Sequence, residues 1–214
     1  MLQRIKSRTR KEWLEKRRAT GIGASEASAA LGMNPWLSNT ELYDVVTGRK
    51  EPKDLSGNEM AEFGSKAEQY LRGLFAVQHP EYEVEYHPYD MLYQDERPWL
   101  FCTLDGELVG KDGKRGILEI KTASIGKKSQ AAEWDGKIKD TYYIQILSQM
   151  LSTGYDFVWV IAMLRRLDGS SELRQYRFDR AECEEDLKYL EDKLDEFYGY
   201  VERGEEPPRI LPEI

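Results

Sequence analysis

The chain has 214 residues, 40% hydrophobic and 33% charged, which suits a globular protein with one substantial core. A net charge of −8 argues against a protein that coats nucleic acid with its whole surface, although positive charge gathers over residues 4–18 and at Lys127 and Lys128. The only histidines are His79 and His87, and Cys102 and Cys183 lie far apart, so histidine catalysis, a zinc cluster and a disulfide framework are all disfavoured. No apolar run approaches the roughly 20 residues of a membrane span, and residues 1–11 lack a signal-peptide core, so the expectation is a cytoplasmic protein with no membrane partner.

In chain order, residues 13–18 form a basic amphipathic segment read as helical, followed by a glycine-containing run to Ser25. Ser25 suits the N-cap of a short helix over 26–31 that Gly32 closes. A glycine-flanked helix start offers unpaired N–H groups to an anion, and Arg17 and Arg18 stand just upstream, so the alternatives are a phosphate clamp and ordinary capping. Gly21-x-Gly23 lacks the third glycine of a dinucleotide fingerprint, and no Walker lysine follows it. After a turn at 34–36, residues 40–47 read as a helix ended by Gly48, and 49–57 as a polar loop. Phe63, Ala67, Tyr70, Leu71, Leu74 and Phe75 have the spacing of a long amphipathic helix over 58–78. Gly64 interrupts it at a cost of about 1 kcal/mol relative to alanine, which implies close backbone approach. Glu68 lies one turn on and on the same face, either aimed at a site or solvated.

Residues 81–90 alternate Tyr82, Val84 and Tyr86 against acids, the pattern of an edge strand. An apolar run over 99–109, Asp-Gly turn chemistry near 112 and a second run over 116–122 predict an antiparallel hairpin. Alternation at about 3.3 Å per residue places Glu119 and Lys121 on one face, roughly 6 to 7 Å apart, with Leu118 and Ile120 on the other. Strand pairing can bring Asp105 opposite them. Two carboxylates beside a lysine suit Mg²⁺, which takes oxygen ligands and keeps several waters, while the lysine orients or helps deprotonate a water attacking phosphorus. The plain alternative is a surface hairpin with an ion pair. Residues 123–140 read as a loop or frayed helix. A helix over 142–153 follows, with Ile144, Leu147 and Leu151 as its buried stripe, Gly154 as its stop, and a second stripe of Tyr142, Gln145 and Gln149 facing solvent or a phosphate. The apolar run 157–164 predicts a central strand buried on both faces, and Asp168-Gly169 turns it into a further arm over 172–178. Asp179 with Glu182 reads as a capping box for a last helix with Leu187, Leu190, Leu194, Phe197 and Val201 on its apolar face. Residues 205–208 end it as a short tail.

An arginine and a serine before a first helix, Gly64-x-x-x-Glu68, Leu104-Asp105-Gly106, Leu118-Glu119-Ile120-Lys121-Thr122 and Tyr142-x-x-Gln145 occur in this order over residues 13–164. Together they resemble the YqaJ-like viral recombinases, relatives of bacteriophage lambda exonuclease within the PD-(D/E)xK nuclease superfamily. The resemblance implies an α/β (α+β) restriction-endonuclease-like core, a central mixed β-sheet flanked by helices, in one domain over 1–214. Within it fall a phosphate-clamp segment at about 13–32, a nuclease core at about 58–178 and a C-terminal helix at about 179–203. It further implies that Asp105, Glu119, the Ile120 carbonyl and Glu68 hold metal, that Lys121 is the catalytic lysine, and that Gln145, with Tyr142 a turn before it, supports the lysine and the nucleophilic water. Ser25 and an upstream arginine would take the 5′-phosphate. Arg18 keeps the spacing to Ser25 and is favoured; Arg17 keeps the spacing to Trp13 and stays open. The implied activity is that of a Mg²⁺-dependent exonuclease, with Mn²⁺ substituting, that digests one strand of linear double-stranded DNA from a free 5′ end. It would leave a 3′ overhang for a phage single-strand annealing protein and act as a ring-shaped homotrimer in a phage or prophage setting. The alternatives are a structure-specific endonuclease or repair nuclease of the same fold, and a non-catalytic DNA-binding member.

Overall fold

The computed structural model describes residues 1–53 and 57–211; positions 54–56 of the predicted polar loop lie outside the described residues. The chain runs β1 (Leu2–Ile5), α1 (Arg10–Thr20), β2 (Ile22–Gly23), α2 (Ala27–Ala30), α3 (Asn39–Val46), α4 (Glu59–Gln78), β3 (Tyr82–Glu85), β4 (Met91–Gln94) and β5 (Leu100–Cys102). It continues through β6 (Gly106–Gly110), β7 (Arg115–Ile125), α5 (Lys128–Ala132), α6 (Asp140–Thr153), β8 (Phe157–Arg166), β9 (Ser171–Asp179) and α7 (Glu184–Arg203). The strands form two sheets, one ordered β1-β4-β5-β2 and one ordered β3-β6-β7-β8-β9.

The apolar run predicted as a central strand is β8, parallel to β7 on one side and antiparallel to β9 on the other. Its period of two divides the core. Val158, Val160, Ala162 and Leu164 face the larger cluster with residues of α6 and α7, while Phe157 and Ile161 join Leu71 and Phe75 of α4 and Leu118 and Ile120 of β7. β7, α6 and β8 thus make a parallel crossover unit with the helix as its connection.

The β6–β7 hairpin has the expected antiparallel pairing, with Gly106 opposite Leu118. The preceding run, expected as one continuous arm over 99–109, is divided instead. β5 belongs to the first sheet and β6 to the second, and Thr103, Leu104 and Asp105 carry the chain between them. Apolar content alone does not say which sheet a strand joins. α6 also departs from a one-sided helix, since Ile144, Ile146, Leu147, Ser148, Gln149 and Met150 are all buried, whereas Leu151 is only partly covered. Ser148, Ser152 and Thr153 satisfy their buried hydroxyls on the carbonyls four residues back, each at 2.8 Å, so the helix needs no polar partner there.

α4 begins at the Asn58 cap and buries Leu71 and Phe75, but Tyr70 stays 72% exposed, because the helix covers only one face of the sheet along a narrow stripe. The expected capping box at 179–182 does not form. Arg177 captures the Asp179 carboxylate at 2.7 Å, residues Arg180–Glu182 make a 3₁₀ turn, and Cys183 precedes α7. The C-terminal tail is pinned by the buried Asn39, whose amide donates to the Pro208 carbonyl at 2.8 Å and accepts from Ile210 N at 3.1 Å.

One buried carboxylate ties the two sheets together. Glu107 on β6, 2% exposed, accepts from Arg4 of β1 at 2.5 Å, Tyr155 at 2.6 Å and Arg115 at 3.2 Å. Burial works to raise its pKa, yet these donors outweigh it and hold the group below its ordinary value. A depressed carboxylate contributes stability above the unfolded value of about 4.3 and loses it as the pH falls through the folded value. Glu107→Ala, which leaves the buried Tyr155 hydroxyl without its acceptor and takes one of two carboxylates from Arg4, is expected to cost about 1–3 kcal/mol at neutral pH. Urea unfolding at pH 7 and again near pH 3 measures this; the gap between wild type and variant should narrow at the acid end.

Candidate active site

Asp105 sits where the chain crosses between sheets, and the hairpin register brings it opposite Glu119. Its Oδ2 accepts from Ile120 N at 2.7 Å, and its main-chain carbonyl accepts from Arg72 Nε at 2.5 Å. Glu119 lies mid-strand on β7 and is 3% exposed. Its Oε1 accepts from Lys121 Nζ at 2.6 Å and Gln145 Nε2 at 2.8 Å, and its Oε2 accepts from Gln149 Nε2 at 2.6 Å. Lys121 Nζ also donates to Gln145 Oε1 at 2.9 Å and lies 4.7 Å from the centre of the Tyr142 ring. The polar stripe of α6 therefore faces the strand that bears Glu119 and Lys121, and not solvent. The Ile120 side chain turns to the opposite face, beneath α4.

Glu68 reaches the same region from α4. A Cβ at Gly64 would lie 3.3 Å from Thr122 Oγ1, which is the close approach the glycine implied, and it lets α4 press against the end of β7. Burial raises the pKa of Glu68, and Glu119 adds to the effect. Asp105 is raised well above its ordinary value by burial, then by Glu119 and Glu68. Lys121 is raised although burial opposes it, because Glu119 and Asp105 favour its charge. The three carboxylates are thus within electrostatic reach of one another and of Lys121.

Among the described residues no three acidic, histidine or cysteine side chains form a ready metal cage. Mg²⁺ does not need one. It binds through one or two carboxylates, waters and substrate phosphate oxygens, and the hard oxygens of Asp105 and Glu119, flanked by Glu68, suit that demand. Gln149 was not among the expected site residues, yet it closes the second oxygen of Glu119 and is 1% exposed. The signal was present in its position one turn after Gln145 on the same stripe.

A second cluster forms around Ser25. Arg17 Nη2 donates to Ser25 Oγ at 3.2 Å, pairs with Glu26 at 3.0 Å, and lies over the rings of Phe101 and Trp13. Arg18, the favoured residue by spacing, points elsewhere and makes an exposed pair with Glu51 at 2.9 Å. Arg17 follows Trp13 by four residues and so shares its helix face, whereas the next residue is rotated away. Ser25 is not an N-cap; it lies inside a 3₁₀ turn, Ala24–Glu26, that packs against α6. A Cβ at Gly23 would fall 2.5 Å from Arg17 Nη2, so a side chain there would push the guanidinium out of this position.

Residues 12–156 match the YqaJ-like viral recombinase domain, a span that contains every residue of both clusters. The chain belongs to this family. The uncharacterised YqaJ protein of Bacillus subtilis (strain 168) is 34% identical over 139 residues, which is 64% of this chain and 40% of the relative, so the chain spans less than half the length of that relative. Among solved structures, the alkaline exonuclease (LHK-Exo) of Laribacter hongkongensis superposes with a TM-score of 0.60 at 17% identity, covering 90% of this chain and 95% of the other. A phage-related exonuclease from Haemophilus somnus 129PT gives 0.50 at 13% identity, covering 86% and 96%. At such identities the likeness is one of fold, a restriction-endonuclease-like α+β core.

Replacing Gln149 by leucine leaves one oxygen of a buried carboxylate without its donor, at an expected cost of about 1.5–3 kcal/mol in unfolding free energy. A double-mutant cycle with Glu119→Leu checks it: with the carboxylate gone, Gln149→Leu should cost much less.

Proposed function

We propose that the chain is a Mg²⁺-dependent deoxyribonuclease, with Mn²⁺ able to substitute, that digests one strand of linear double-stranded DNA from its 5′ end. The observation that carries this reading is the meeting of Asp105, Glu119, Lys121 and Gln145, with Glu68 beside them, in a member of a viral recombinase family. A divalent cation held by Asp105, Glu119 and Glu68, with the Ile120 carbonyl, would supply Lewis-acid stabilisation of the charge that grows on the phosphoryl oxygens. Lys121, fixed at Nζ by Glu119 and Gln145, orients the attacking water and balances charge on the phosphate. Tyr142 lies against the ammonium and keeps bulk water from that side.

Arg17 and Ser25 supply two donors for a terminal 5′-phosphate, on a turn that rests on the helix bearing Gln145. The resulting 3′ overhang is the substrate of a phage strand-annealing protein, and assembly as a ring-shaped trimer would gather the basic segments of an acidic chain around a threaded duplex. No helix among the described residues is long and apolar enough to cross a membrane.

Linear duplex labelled separately at its 5′ and 3′ ends, incubated with and without Mg²⁺, should lose the 5′ label first and only with metal, while covalently closed circles stay intact. Cutting of closed circles would assign an endonuclease instead. Lys121→Ala should lower the rate by about 10²–10³, in a protein that still unfolds in one cooperative step but at a lower temperature, because the buried Glu119 loses its counter-charge. For the end pocket, wild-type protein should degrade 5′-phosphorylated duplex faster than dephosphorylated duplex. Arg17→Ala should erase that preference and Arg18→Ala should keep it, read from initial rates on the two substrates.

A further inference from the structure

The groups that would do the cutting are recessed: Glu119 is buried and the Lys121 side chain is 16% exposed. A phosphate reaches them only on a strand that has left its partner, and the bases of that strand have then lost the neighbours on which they stacked. A ring beside the site that replaces such a neighbour recovers part of the loss, whatever the base.

Three rings flank the 103–105 crossover that carries Asp105. Tyr86 lies on the α4 side: the Arg72 guanidinium is 3.6 Å from the centre of its ring, and Arg72 Nε donates to the Asp105 carbonyl at 2.5 Å. Arg72 thus backs one face of the ring and holds its plane, yet Tyr86 remains 44% exposed. The pKa of its hydroxyl is raised, by burial first, against Arg72, and then by Glu68, Asp105 and Tyr89, so the phenol is within reach of both acids and of the next ring. Tyr89 has a φ of 66° and is the only non-glycine residue among the described ones in the left-handed region. A tyrosine adopts that conformation at a cost, and such costs gather at functional sites. Its ring lies 6.3 Å from that of Trp13, whose indole nitrogen donates to Thr103 Oγ1 at 3.0 Å. Trp13 stands one turn before Arg17, which lies 5.5 Å from the centre of its ring. Arg4 pairs with Asp90 at 3.1 Å and so anchors the end of the tyrosine turn to β1. The rings therefore lead from Asp105 toward the pocket at Ser25.

We propose that the turn over 86–89 is a stacking shelf for unpaired bases of the strand being cut: one base lies on the open side of Tyr86, and the next toward the 5′ end lies against Tyr89 and Trp13. This rests on the nuclease reading and adds to it the path of the strand between the two clusters. Stacking reads no hydrogen-bonding edge, so the shelf accepts every base.

The test uses full-length protein with metal chelated, so that nothing is cut. The probes are duplexes whose 5′-phosphorylated strand ends in three unpaired nucleotides, either natural or abasic. Fluorescence anisotropy should show natural ends bound about 5- to 100-fold more tightly than abasic ones. Tyr86→Leu should remove most of that preference and Tyr86→Phe should keep it, because the ring and not the hydroxyl does the stacking. The factor lost in Tyr86→Leu should be the same at about 50 and 200 mM salt, since no phosphate contact goes with it. Equal affinity for natural and abasic ends, in wild-type protein that digests linear duplex once Mg²⁺ is added, overturns the shelf and leaves the nuclease reading standing; this comparison needs no variant to fold. A preference undiminished in Tyr86→Leu overturns the shelf as well. Wild-type protein that neither binds nor digests DNA overturns both.

Discussion

A single buried charge, the Glu119 carboxylate, governs how this chain is put together. Removing an ionised carboxylate from water costs several kcal/mol unless opposite charge and hydrogen bonds replace the lost hydration. Lys121 supplies the charge, and Gln145 and Gln149 occupy the oxygens, so α6 has one rotation and one height against β7. The parallel pairing of β7 with β8 supports that placement, because α6 is the crossover between them. Fold and site are thus the same constraint seen twice. The family match and the likeness to alkaline exonuclease folds follow the stretch in which this constraint operates.

Much of this was legible because it depends on local period. Alternation placed Glu119 and Lys121 on one face, the i, i+3, i+7 spacing put Tyr142, Gln145 and Gln149 on one stripe, and four residues separate Gly64 from Glu68. What was hidden depends on contacts between distant segments. β1, β2 and β4 have two to four residues each, too few to show a period, so the first sheet was not recognised as one. The division of the run over 99–109 depends on those unseen neighbours. The choice of Arg17 over Arg18 is sealed by Phe101, which lies far from it in sequence. Asp179 lost its capping role to Arg177 because an arginine nearby outcompetes a weak local bond.

The arginines show how one residue type takes different tasks from its surroundings. Arg4 has one carboxylate on β6, Glu107, and one in the loop before β4, Asp90, and serves as a strut. Arg17 shares itself between Glu26 and Ser25, with aromatic rings behind it, which keeps its fork in place while leaving it only partly neutralised. In a chain of net charge −8, such local settings matter more than the total.

The strut from Arg4 to Glu107 has a geometric consequence. The turn bearing Ser25 follows β2 on one sheet, whereas Glu119 and Lys121 stand on the other, and this ion pair and α6 keep the sheets from sliding past one another. If a chain terminus is gripped at the first place and severed at the second, the span between them acts as a gauge. Each cycle would then release a fragment of the same length, set by the spacing of two sheets and independent of base sequence.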